Sequence, residues 1–76
     1  MDYEPLAFAP RSNPHITPRE LDVLRLICAG YQHKVIAKML GISTGTVKLH
    51  ACNLYQKFGL RSNVQLALFA LRNGLI

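Results

Sequence analysis

A chain of 76 residues, half of them apolar, has room for one small core and little stability margin. Its 2 cysteines exclude a disulfide scaffold and point to a reduced, cytoplasmic setting; no apolar run reaches the roughly 18–20 residues that span a bilayer. The net charge of +5 is unevenly spread: the 4 acids Asp2, Glu4, Glu20 and Asp22 all precede Val23, and no carboxylate follows. Arg25, Lys34, Lys38, Lys48, Lys57, Arg61 and Arg72 give the rest of the chain a single sign, which favours a polyanionic partner over a merely solvated surface.

Residues 1–15 read as a flexible, proline-rich arm or linker, because Pro5, Pro10 and Pro14 interrupt any helix. The acidic start, Met1-Asp2-Tyr3-Glu4, argues against a secretory leader. Residues 16–76 form the folded domain. Its first helix opens on a capping box, with Thr17 as N-cap, Pro18 at the first helical position and Glu20 reaching back. Leu21, Leu24, Ile27 and Cys28 make the core stripe, broadened by Val23 and Leu26, and Gly30 ends the helix.

The second helix starts poorly, since Gln32 stands where Ser, Thr, Asp or Asn caps best. Val35, Ile36, Met39 and Leu40 form its apolar stripe, and Lys34 and Lys38 share an outward face suited to phosphates or simply to water. Gly41-Ile42-Ser43 is a three-residue turn, with Ile42 plugging the angle and Ser43 capping a third helix that ends at Gly59. That outline is a helix-turn-helix. On the third helix Val47, Ala51, Leu54 and Phe58 fall on one stripe with His50 at its edge, while Gly45, Lys48, Leu49, Cys52, Asn53 and Gln56 face outward. A helix without acids and with a polar outer side suits a nucleic-acid groove.

Ser62 and Gln65 suggest a second capping box, opening a last helix from Asn63 to about Asn73. Leu66, Ala67, Ala70 and Leu71 fit one face, with Val64 at its margin. Leu68 and Phe69 fall outside that arc beside Gln65 and Arg72, so they are the expected self-association surface, with covering by the arm as the alternative.

Five separated segments, T-P-R-E (17–20), L-R-L-I-x-x-G (24–30), K-x-I-A-x-x-L-G-I-S (34–43), T-V-K-x-H (46–50) and K-x-G-x-R-S (57–62), together resemble the LuxR-type (GerE-like) helix-turn-helix domain. The resemblance covers residues 16–76. It implies an all-α, compact four-helix domain, with helices 2 and 3 as the helix-turn-helix, the third in the major groove and the fourth for dimerisation. It also implies a bacterial transcription regulator: the output domain of a response regulator (NarL/FixJ type) or quorum-sensing receptor, or a stand-alone protein. Thr46 and Lys48 match the groove-side positions and Lys57 a phosphate-side lysine. Departures from the pattern are Val35, where an acid is usual, Gln32 at the cap, and Cys52 on the groove face. The expected DNA-binding set is Thr44, Thr46, Lys48, Leu49, Cys52, Asn53, Gln56 and Lys57, with Lys34, Lys38 and Arg61 on phosphates. The expected dimer contacts are Gln65, Leu68, Phe69 and Arg72. The partners so implied are duplex DNA with an inverted-repeat operator, a second copy of the chain and, as a further candidate, RNA polymerase.

No catalytic set, metal site or cofactor is expected. His15, His33, His50, Cys28 and Cys52 have no zinc-finger spacing, and no glycine-rich phosphate loop occurs. His50 and Thr46 are expected to orient the third helix, His50 through one hydrogen bond; Cys52 reads as an inert contact rather than a redox switch. Two other functions compete: a sigma-factor region 4-like promoter-binding domain, against which T-V-K-x-H argues, and a protein-interaction module that has kept the fold but lost the DNA contacts.

Overall fold

The computed structural model describes residues 16–76, so the arm expected at residues 1–15 and His15 lie outside the described residues. Four helices follow one another: α1 (Pro18–Cys28), α2 (His33–Leu40), α3 (Thr44–Phe58) and α4 (Asn63–Arg72). α1, α3 and α4 each start on a side-chain cap, at Thr17, Ser43 and Ser62. Thr17 Oγ1 accepts the Glu20 amide at 3.1 Å, and Glu20 Oε1 accepts the Thr17 amide at 3.1 Å, closing the box around Pro18. Gln32 makes no capping bond. Ser43 Oγ accepts the Thr46 amide at 3.0 Å, so α3 begins on a satisfied donor.

Two glycines end helices in the left-handed region that a side chain would disfavour: Gly41 (φ 69°) after α2 and Gly59 (φ 69°) after α3. At each, the next amide reaches back into the helix: Ile42 N–H to the Ala37 carbonyl at 3.0 Å, and Leu60 N–H to that of Tyr55 at 2.8 Å. Ile42 and Leu60 then pack against the core. The second box expected at α4 forms only in part. Ser62 Oγ accepts the Gln65 amide at 3.1 Å, but Gln65 Oε1 takes the Arg61 amide, one residue further back, at 2.7 Å.

The core joins Val23, Leu24 and Ile27 of α1 to Ile36 and Ala37 of α2, Val47, Ala51 and Leu54 of α3, and Leu66 and Ala70 of α4. Each large apolar side chain buried there contributes about 1.5–3 kcal/mol. α3 packs on both α1 and α2, while α4 packs chiefly on α1. Three stripes differ from the sequence expectation. On α1 Val23 is fully buried and Leu21 and Cys28 only half-buried. On α2 the buried line runs through Ile36 and Ala37, leaving Val35 and Met39 (51% exposed) outside. On α4 Leu71 is 65% exposed, whereas Phe69 turns inward onto Phe58, ring centroids 4.6 Å apart.

Candidate nucleic-acid interface

Because α3 buries Val47, Ala51 and Leu54, its opposite side must face solvent. Lys48, Leu49, Cys52 and Gln56 are exposed there, with Gly45 beside them in the first turn. Leu49, at 58% exposure, is a large apolar group with nothing covering it among the described residues. Thr44, Thr46 and Asn53 are half-buried at the flanks. The Thr46 hydroxyl lies 2.9 Å from Ser43 Oγ, which ties it to the helix start. Lys34 and Lys38 are exposed on α2, and Arg61 on the turn after α3.

Lys57 is placed differently from the rest. Its ammonium pairs with the Glu20 carboxylate across α1 and α3, joining two residues far apart in sequence. Glu20 is 4% exposed, the buried charged residue of the described core. Burial pushes its carboxyl up, but the Lys57 ammonium, the Thr17 amide and the Asn53 carboxamide together hold it below its ordinary value. Asn53 and Lys57 are therefore already engaged inside the domain. From sequence Glu20 reads only as a capping residue, because no local period links residues 37 apart.

His50 flanks the same side of α3. It is half-buried, and its Nδ1 is buried without a hydrogen-bond partner, unlike the single bond expected for it. Among the described residues no group of three or more His, Cys, Asp or Glu side chains could hold a metal. Cys28 is half-buried, and burial pushes its thiol up, away from the reactive range; Cys52 is exposed and free. No described helix is long and apolar enough to cross a membrane.

The four residues expected at a dimer contact, Gln65, Leu68, Phe69 and Arg72, line one groove of about 420 Å³ with Gly59, Leu60 and Asn73. Phe69 is spent on Phe58, so it supplies the floor rather than a free side chain. The exposed apolar groups of α4 are Val64 (69%), Leu68 (46%) and Leu71 (65%), spaced along one stripe.

Four helices with a tight α2–α3 turn, and an acid-free outward helix flanked by cations, define a helix-turn-helix module for DNA. The family model described as bacterial regulatory proteins, luxR family (GerE), matches residues 14–70. This chain belongs to that family of bacterial regulatory proteins. Its relatives include the transcriptional regulatory protein MctR of Rhizobium johnstonii, 43% identical over 61 residues (80% of this chain, 28% of the relative). The nitrate/nitrite response regulator NarL of Escherichia coli is 43% identical over 54 residues, 71% of this chain and 25% of NarL. The oxygen regulatory protein NreC of Staphylococcus aureus is 39% identical over 61 residues, 80% of this chain and 28% of NreC. The chain thus spans little more than a quarter of these relatives' length.

Proposed function

We propose that residues 16–76 bind an inverted-repeat DNA operator as a homodimer, with α3 in the major groove and α4 at the two-fold axis. The observation that carries this reading is the outward side of α3, where Lys48, Leu49, Cys52 and Gln56 are all exposed and no carboxylate competes. Lys48 and Gln56 can hydrogen-bond base edges, and Leu49 suits a thymine methyl. Cys52 is a small contact, and Thr44, Thr46 and Asn53 shape the flanks. Lys34, Lys38 and Arg61 hold phosphates; Lys57, engaged by Glu20, has a lesser part. One such helix reads a few base pairs, so a pair with half-sites about 10 bp apart is needed for a unique target. The work of such a regulator lies on the bacterial chromosome, in the cytoplasm, with RNA polymerase as its further partner. The output domain of a response regulator, the role the name of NarL suggests, is the role we assign to the chain.

The test is a gel shift on a generic duplex across a salt series. Each phosphate contact should contribute about −0.9 to the slope of log K against log[salt]. Lys48→Ala should weaken binding about tenfold and alter sequence preference. Unchanged affinity and preference in that variant would remove Lys48 from the interface, and no shift at low salt with micromolar protein would leave only an interaction module.

A further inference from the structure

We propose that Asn63 is a positioning residue that sets the angle between the groove helix and the dimer helix, and through it the half-site spacing; the inference rests on the dimeric reading above. α4 packs broadly on α1 and far less on α2 and α3. Yet its first residue touches both members of the helix-turn-helix. The Tyr55 hydroxyl, near the end of α3, donates to Asn63 Oδ1. Asn63 Nδ2 lies 3.3 Å from Nε2 of His33, the first residue of α2.

The donor inventory assigns each role. With Oδ1 accepting from Tyr55, the amide's remaining group is a donor, so His33 Nε2 must offer its lone pair. Three half-buried side chains from three helices form one directional chain with no interchangeable ends. A second direct link between α3 and α4 is the Phe58–Phe69 ring pair, an apolar contact that tolerates sliding. Hydrogen bonds do not: their strength falls steeply as donor and acceptor lose alignment. Asn63 therefore anchors the start of α4 to α2 and α3, while α1 carries its bulk. In a pair of domains joined through α4, a change in this angle is read out as a change in distance between the two α3 helices.

The experiment selects binding sequences from a pool of duplexes with a random 30-bp core, using the 76-residue chain and two variants. Wild-type protein should enrich one half-site motif as an inverted repeat at one spacing. Asn63→Ala and Tyr55→Phe should each enrich the same motif, with neighbouring spacings within about fivefold of the preferred one, the effect of losing one hydrogen bond. The double variant should broaden spacing no further than either single, since both break the same chain. A single retained spacing in both variants would overturn the proposal. A changed motif would also overturn it, by moving the chain's influence to the groove face. So would loss of helicity by circular dichroism in both variants, which would make the contact merely structural. Lone half-sites enriched by the wild-type chain would instead defeat the dimeric reading itself, and that failure shows before any variant is compared.

Discussion

Lys57→Met should destabilise the domain by about 3 kcal/mol at pH 7 and by much less near pH 4. The substitution keeps the stem of the side chain and removes the charge, leaving the nearly buried Glu20 carboxylate without its cation. A domain of this size has about 3–9 kcal/mol in all, so the variant should be close to unfolding at neutral pH. In the intact protein the Glu20 carboxyl is held below the usual glutamate value of about 4.3. Its stabilising contribution is therefore complete above that pH and fades as pH falls through the lowered folded-state value. Without Lys57, burial dominates and the carboxyl moves up, so the penalty applies at neutral pH and disappears on acidification. Urea unfolding midpoints of both proteins at pH 7 and pH 4 measure the difference. Equal deficits at the two pH values would assign the loss to packing of the lysine stem instead.

Leu68→Arg combined with Leu71→Glu should leave the fold intact and reduce cooperative binding to a two-half-site duplex by about 5–150-fold, the usual span of a coupling energy. Both side chains are largely exposed, so neither substitution opens a cavity. Substituting Phe69 would not be a clean probe, because its ring rests on Phe58 and its loss would disturb α3 as well. Half-site affinity, measured on a duplex with one half-site, should stay within about twofold of wild type, as expected of surface changes away from the contacting helix. One short helix per subunit buries far less than the roughly 1,600 Å² of a standard stable interface. The free domain should accordingly be monomeric at low micromolar concentration by sedimentation, with pairing completed on DNA. Cooperativity that survives in the folded double variant would place the dimer contact off the stripe formed by Val64, Leu68 and Leu71.

What could be read from the sequence was local. Thr17 and Glu20 stand three residues apart, the distance at which a side chain reaches the first free amides of a helix, so their box was visible without any tertiary information. Ser43, Gly41 and Gly59 mark ends for equally short-range reasons. The outward side of α3 was legible because its inward side is built of Val47, Ala51 and Leu54 at regular spacing. Misreadings arose where size stood in for burial. On α2 the large Val35 and Met39 look like core residues, but the line of that helix turned into the core runs through Ile36 and the small Ala37. Phe69 looks surplus on a helical wheel, because its partner Phe58 lies on another helix. The Glu20–Lys57 pair and the Tyr55–Asn63–His33 chain join side chains from different helices, and no periodicity within one helix can disclose such contacts. They emerge only when the helices are packed.

The placement of the acids has a consequence for how such a domain finds its target. Residues 16–76 carry only two carboxylates: Glu20 is buried against Lys57, and Asp22 sits 3.5 Å from Arg19. Viewed from a Debye length away, about 8–10 Å in physiological salt, the remaining surface has one sign. An arriving molecule then need not be aimed. On the proposed DNA-binding reading, such a surface would hold duplex weakly without base-specific contacts and let the protein travel along the phosphates by sliding and short hops. Target search would then be largely one-dimensional, with most copies resident at any moment on non-operator sequence. The time to reach an operator would then be governed less by three-dimensional diffusion than by ionic strength and by how much bare DNA surrounds the site.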